Sequence, residues 1–503
     1  MLAHVRSATV LGVEASPIEV EVDVAAGLPG CHIVGLADAG VKEGRIRIRG
    51  ALENCGFKLP PRRITVNLAP ADLRKDGAAF DVPIAVGILA ATGYLPAEGL
   101  AGTLFVGELA LDGGVRPVRG VLPMAAWARR VGIERLVVPE QNAAEAAAAG
   151  TKPKVLPINH LAQLADLLEG QGGSAVPAPL PLPDAPGPGS LPDLAELRGQ
   201  LVARRALEIS ASGGHNLLLL GPPGSGKTML ARRLPGILPA LDFEEALETT
   251  MIYSVAGLLG RRALLSERPF RAPHHTVSIA GLAGGGPLAR PGEISLAHNG
   301  VLFLDELLEF PRAVLEALRQ PLEERNITIV RARRSVTFPA HFMLVAATNP
   351  CPCGHLGNRL RTCTCSQTRI DGYRARLSGP LLDRIDMHIE VPTQSYRELV
   401  RKEPGEPSAV VRARVDAARA IQIGRGGRLN AALPARLVAE TVNLDATAHA
   451  LLERAVEKFA LSARALDRVR RVARTIADLD GSSGVRAPHL AEALQYRLLD
   501  RPT

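Results

Sequence analysis

Apolar and polar positions follow two different rules along this chain. Residues 18–24 read IEVEVDV and residues 63–68 read RITVNL, the alternation of strands buried on one face. Residues 82–95 are almost continuously apolar and predict a buried helix, residues 134–138 a strand, and the alanine-rich residues 140–149 a further helix. This mixture predicts a compact α+β unit with no internal repeat. After residue 190 the alternation gives way to short, wholly apolar runs at 216–220, 301–304 and 342–347, separated by helix-compatible stretches such as 201–210. Such runs predict a parallel sheet covered on both faces. From about residue 395 only the helical period remains. Leu451, Leu452, Ala455, Val456 and Phe459 share one helical face, and Leu466, Val469, Val472, Ala473, Ile476 and Leu479 share the next. Ser462 fits an N-cap, Gly481 a stop and Pro488 the first turn of a last helix.

Between the two regimes, residues 171–190 (QGGSAVPAPLPLPDAPGPGS) hold six prolines and four glycines and predict a semi-extended linker. The expected organisation is multidomain α/β: an α+β unit at 1–170, the linker, a parallel-sheet unit at 191–394 and a helical unit at 395–503. A length of 503 residues suits about three domains. Hydrophobic residues at 47% and charged residues at 22% exclude a wholly disordered chain. No apolar run is long enough to span a bilayer, and the N-terminus lacks the basic-then-apolar pattern of a secretory signal, which predicts a cytoplasmic protein without membrane contact. The net charge of +8 permits nucleic acid binding without requiring it, and 3% aromatics disfavours single-strand binding through rows of stacked rings.

The sharpest chemistry is at Gly221, Pro222, Pro223, Gly224, Ser225, Gly226, Lys227 and Thr228, GPPGSGKT, which follows an apolar strand and opens a helix. In that setting the backbone N–H groups curl around phosphates, Lys227 meets the β and γ phosphates, and the Thr228 hydroxyl faces Mg²⁺. Residues 301–306 read VLFLDE and place Asp305 at a strand end to share the Mg²⁺ shell, with Glu306 beside it to polarise an attacking water. Asn349 ends another apolar strand and can orient the same water. Arg384 and Arg464 are candidates to meet charge developing on a transferring phosphoryl group.

Four of the six cysteines, Cys351, Cys353, Cys363 and Cys365, lie within 15 residues. Four thiolates suit tetrahedral Zn²⁺, with His355 a possible substitute ligand; the alternative is four reduced thiols in a loop. Residues 327–338 (ITIVRARRSVTF) predict a β-hairpin with Arg331, Arg333 and Arg334 near its tip, suited to contacting a phosphate backbone without reading sequence. His274 and His275 are adjacent and so share no helical face, which favours a structural or substrate-loop role over metal binding.

In their order, GPPGSGKT, VLFLDE, LVAATNP and LLDRID resemble an AAA+ ATPase. The segments GHNLLLLGPPGSGKT, RPFRAPHHTVS, GGGPLARPGEISLAHNGVLFLDE and NPCPCG resemble one branch of it, the magnesium-chelatase-like YifB/ComM family. The resemblance implies that Lys227 and Thr228 are Walker A ligands, Asp305 and Glu306 Walker B, and Asn349 sensor 1. It also implies that Arg384 is an arginine finger reaching a neighbouring subunit and Arg464 the sensor 2 of a helical lid. Such ATPases work as rings, usually hexamers, with ATP and Mg²⁺, and the resemblance implies DNA helicase or branch-migration activity during natural transformation. In such rings a hairpin before the sensor 1 strand projects towards the central channel. The first unit resembles the Lon protease domain of ribosomal S5-like fold, but the nucleophilic serine of active Lon-type enzymes is replaced by Ala79 and the catalytic lysine by Leu122. A non-proteolytic relative is expected. Two other readings stand beside DNA remodelling: a chelatase-type motor for metal insertion into a tetrapyrrole, and an ATP-dependent protease, disfavoured by Ala79.

Overall fold

The computed structural model describes residues 1–73, 75, 77–168, 191–260, 262–286, 289–331, 334–358, 361–394 and 405–500. The segment 171–190, read as a linker, lies outside them.

Two sheets organise the chain. The N-terminal one has seven strands in the order Gly30–Val34, Arg63–Ala69, Glu14–Ala25, Leu2–Leu11, Thr103–Phe105, Arg135–Pro139 and Lys154–Ile158. Its alternation is the one the sequence predicts: Ile18, Val20, Val22 and Val24 are buried while Glu19, Glu21 and Asp23 turn away. The helix Asp81–Ala91 lies across it with every residue buried, which explains an apolar run without a polar face. Gly87 permits that depth, since a Cβ there would stand 2.5 Å from Val22 Cγ2. The helix Ala39–Asn54 joins the same side, capped by Asp38, whose carboxylate accepts from Val41 N at 2.8 Å. The predicted helix at 140–149 is broken. A 3₁₀ turn at Glu140–Asn142 precedes a short helix at Ala143–Ala147, because the Asn142 side chain exchanges hydrogen bonds with the Val118 backbone (3.0 and 2.9 Å).

The second sheet is wholly parallel, in the order Phe270–Arg271, Val301–Leu304, Met343–Thr348, Leu217–Leu220 and Met387–Glu390. The first of these strands in the sequence therefore lies between the fourth and the fifth. That reversal opens a crevice at the carboxyl ends of the strands, where α/β sheets bind ligands. Leu220 pairs with both Thr348 and Glu390, so the loops leaving three strands converge there. A separate two-stranded hairpin, Asn326–Arg331 with Arg334–Pro339, precedes the strand Met343–Thr348.

After Met387–Glu390 the described residues form helices, chiefly Ser408–Gly426, Ala446–Phe459, Ala463–Leu479 and Ala487–Gln495. Ser462 caps the third of these, accepting from Ala465 N at 3.1 Å, and Pro488 sits in the first turn of the last. The helices are not a detached bundle: Val411, Val415, Val472, Ile476 and Leu490 share one core with Leu217, Leu219, Phe303 and Val345 of the sheet. The N-terminal unit is docked too. Leu247 and Met251 of the helix Phe243–Ala256 pack on the cluster holding Leu122 and Ala125, and Gly120 N donates to Ser254 O at 3.3 Å. Among the described residues no helix is long and apolar enough to cross a membrane.

Candidate nucleotide site

The loop 221–228 leaves the buried strand Leu217–Leu220 at the strand-order reversal and enters the helix Lys227–Ile237. Gly226, at φ +91°, makes the left-handed turn into that helix, a conformation costly for any residue with a Cβ. Gly221 is needed for space: a Cβ there would lie 2.2 Å from Val391 O. The Lys227 ammonium is folded back into the loop, donating to Gly221 O at 2.7 Å, Pro222 O at 3.0 Å and Asn349 Oδ1 at 3.3 Å. Burial lowers its pKa from the ordinary lysine value, while Asp305 and Glu306 oppose that shift. The structure thus brings Lys227 and Asn349 together, although 122 residues separate them.

Thr228 Oγ1 donates to Asp305 Oδ2 at 2.7 Å, joining the helix start to the end of the strand Val301–Leu304. Two hard oxygen donors in contact are the set Mg²⁺ takes from such a site. The Ser225 hydroxyl is buried in the loop without a hydrogen-bond partner, as expected of a group placed for a ligand oxygen. Together these residues fit a magnesium nucleotide. Glu306 follows at φ +52°, half exposed, with its carboxylate 3.5 Å from His275 Nδ1.

The two arginines are placed differently. Arg384 is only 6% exposed, its guanidinium 2.5 Å from Glu323 and donating to Pro380 O at 2.5 Å, so it is engaged within its own chain. Arg464 is exposed and has no ion pair or hydrogen bond among the described residues. One turn along its helix, Arg468 pairs with Asp386, which precedes the strand Met387–Glu390. That is the end of the sheet opposite the phosphate loop. Among the described residues, no hydrogen bond or ion pair joins Arg464 to the phosphate loop.

The sulfur atoms of Cys351, Cys353, Cys363 and Cys365 lie within 4.8 Å of one another. His355 is not part of that group. The hairpin forms as the sequence predicts, in the register Ile327 to Phe338 and Ile329 to Val336, with those four side chains buried. Arg331 and Arg334 pair through their backbones at its end, and Arg333 lies outside the described residues. In the first unit, Ala79 is half-buried and Leu122 fully buried, so neither position offers a nucleophile or a base.

Comparison with known proteins fixes the family. Residues 193–399 match the family described as magnesium chelatase, subunit ChlI; residues 20–142 match subunit ChlI of Mg-chelatase, and residues 405–497 its C-terminal part. Competence protein ComM of Haemophilus influenzae is 47% identical over 505 residues, covering 99% of this chain and 98% of that protein. The chain belongs to the magnesium-chelatase-like YifB/ComM family. A Salmonella typhimurium protein designated YifB is 45% identical over 501 residues (99% and 98% coverage), and an uncharacterized Mycobacterium tuberculosis protein is 43% identical over 502 residues (99% and 98%). Membership makes the chain a chelatase-like AAA+ ATPase that uses ATP and Mg²⁺.

Three residues of the site escape a motif reading. Gln200, at φ +50°, donates from Nε2 to Ser225 O at 2.5 Å and closes over the phosphate loop. His275 meets Glu306, and Glu323 holds Arg384. Each acts across the fold, so no local pattern marks Gln200 or Glu323. The pair His274-His275 is visible, but its partner is not.

Proposed function

We propose that this ATPase assembles as a hexameric ring and couples Mg-ATP hydrolysis to sequence-independent movement of branched or single-stranded DNA, as in branch migration during transformation and recombination. In this reading Gly221–Thr228 bind the triphosphate, with Lys227 on its β and γ phosphates. Thr228 and Asp305 would hold Mg²⁺, whose charge neutralises the phosphate oxygens. Glu306 accepts the proton of the attacking water and Asn349 orients that water. Arg384, freed from Glu323, serves the site of the neighbouring subunit, and the exposed Arg464 serves as sensor 2 of the lid, at a site completed between subunits. Zn²⁺ at the four thiols and a cytoplasmic location belong to the same reading. So does the unit 1–170 as a non-proteolytic Lon-like domain for assembly or substrate binding, with the ATPase at 191–394 and the lid at 395–503.

One observation carries the DNA assignment. The arginine-bearing hairpin Asn326–Pro339 leads directly into the strand Met343–Thr348, whose far end presents Asn349 to Lys227. A nucleotide-dependent shift of that strand would be felt at both ends, and Arg331, Arg333 and Arg334 would carry it to a phosphate backbone. The relative named for competence supports the same reading. The test is strand exchange on labelled three- and four-stranded junctions with ATP, with Lys227→Ala and Glu306→Gln as controls. Absence of both DNA-dependent ATPase and strand movement in the wild type refutes it. A second reading, a motor for metal insertion into a tetrapyrrole, rests on the match to magnesium chelatase subunit ChlI. ATP hydrolysis stimulated only by a porphyrin-binding partner would favour it. An ATP-dependent protease is disfavoured by Ala79 and Leu122, and intact unfolded casein beside active ATPase would remove it.

A further inference from the structure

The thiol cluster lies against the phosphate loop. Cys351 follows Asn349 by two residues, and the turn after it is pressed on the loop at Gly354. A Cβ at Gly354 would stand 2.6 Å from Pro223 Cδ and 3.9 Å from Asn349 Cγ. Three residues on, Gly357 comes near Glu390, where the fifth strand of the sheet ends. The same short segment therefore abuts Pro223, Asn349 and the strand end beside the loop.

The sulfurs are arranged as ligands of one ion. Cys351 and Cys353 are 3.4 Å apart, Cys351 and Cys363 3.7 Å, and Cys353 and Cys363 3.6 Å. These are not bonded separations, which are about 2.05 Å. A tetrahedron of Zn–S bonds of about 2.3 Å has edges of about 3.8 Å, and the measured separations approach it. An iron–sulfur cluster would spread its thiolates over several metal atoms, further apart than this group. Two backbone amides already point at sulfur, Leu356 N to Cys351 Sγ at 3.3 Å and Cys365 N to Cys363 Sγ at 3.4 Å. Such donors orient the sulfurs for a metal.

We propose that Cys351, Cys353, Cys363 and Cys365 bind one Zn²⁺ that braces the nucleotide site, fixing Asn349 and the wall of the phosphate loop at Pro223. The brace rests on the nucleotide-binding reading of Gly221–Thr228; the metal site does not. Without the ion, no covalent bond joins Cys351 and Cys353 to Cys363 and Cys365. Asn349 and Pro223 then lose the turn packed against them. Zinc acts here through rigidity, at a distance from the reacting phosphate.

The experiment uses the full chain, expressed with zinc and purified without chelator. Elemental analysis is expected to give about one zinc per chain. Stripping with a mercurial thiol reagent and a chelating dye should release it. Affinity for a fluorescent ADP analogue should then fall by roughly tenfold, with the far-ultraviolet circular dichroism unchanged. Saturating Mg-ADP should slow zinc release, as reciprocal coupling requires. The double variant Cys363→Ser, Cys365→Ser should be purified with little zinc and the same weakened affinity. Zinc below about a tenth per chain, or iron in its place, overturns the zinc site. Unchanged ADP affinity after complete metal loss overturns the brace. Failure of the zinc-loaded protein to bind any nucleotide would refute the ATPase reading, and the brace with it, while zinc content would still decide the metal site.

Discussion

Replacing Lys227 by alanine separates nucleotide binding from folding. Lys227 is 8% exposed and its ammonium is held by Gly221 O, Pro222 O and Asn349 Oδ1 at 2.7, 3.0 and 3.3 Å. Its desolvation is thus already met in the free protein, and a phosphate arriving at the loop finds a charge in place. At about 4 Å and an effective dielectric constant of about 20, one charge pair contributes about 4 kcal/mol, or roughly a thousandfold in dissociation constant. The loss of Lys227 should therefore weaken binding of a fluorescent ATP analogue by two to three orders of magnitude. Folding should change little, by less than about 2 kcal/mol, because the burial cost of the charge offsets its three hydrogen bonds. Asn349→Ala removes only the neutral partner, worth about 1 kcal/mol, and should weaken binding by less than tenfold. The two effects should fall short of additive in the double variant, since the residues share one hydrogen bond. Titration of the four proteins, with guanidinium unfolding as the control for folding, decides the matter. An affinity in Lys227→Ala within threefold of wild type would show that the loop is no phosphate cradle.

Glu306→Gln should retain nucleotide binding and lose about 10²- to 10⁴-fold in hydrolysis, read as phosphate release; equal loss of binding and turnover would count against a role in polarising water. Changing Arg331, Arg333 and Arg334 together to alanine should lower the salt dependence of DNA binding, the slope of log K on log salt falling by up to about 2.7 if each meets one phosphate. An unchanged slope sinks the hairpin contact. His215 and His341 are buried and their pKa values are lowered to about 4 and about 3, chiefly by burial. Protonation favours the unfolded chain, where histidine titrates near 6.5. Their contribution is thus present above that pH and lost as pH falls towards their folded values. Between pH 7 and 5 each should cost about 2 kcal/mol, read as a fall in the guanidinium midpoint; a midpoint constant across that window refutes it.

What could be read from the sequence was what local chemistry dictates. GPPGSGKT specifies its own loop because glycine at Gly226 and the lysine after it act within a few residues. The strand Asn326–Arg331 announces its partner through alternation across a short turn. The strand Leu2–Leu11 hides because Ser7 interrupts the apolar period while being buried, its hydroxyl donating to Phe105 O at 2.9 Å. Only the neighbouring strand, 98 residues away, makes that serine an interior residue. The helix expected at 140–149 fails for the converse reason: alanine propensity favours it, but Asn142 is claimed by Val118.

The same distinction governs the site. Walker-type residues are legible because each strand end delivers its own side chain, whereas restraint is not. Glu323 on Arg384, His275 on Glu306 and Gln200 on Ser225 all hold site residues from elsewhere in the fold. Two of the three place a site group in a contact that nucleotide or a neighbouring subunit would have to alter. The Arg384 pair is the sharper case, since a buried arginine paired to Glu323 cannot serve another chain without leaving that partner. The Glu323 carboxylate is half exposed, so the pair is partly screened by solvent, but a guanidinium buried as deeply as that of Arg384 still needs an anion in place of the one it leaves. A nucleotide phosphate presented by a neighbouring subunit is the anion that the proposed ring would supply. Assembly and release of Arg384 would then be one event, and a dispersed chain should hydrolyse ATP far more slowly than the ring.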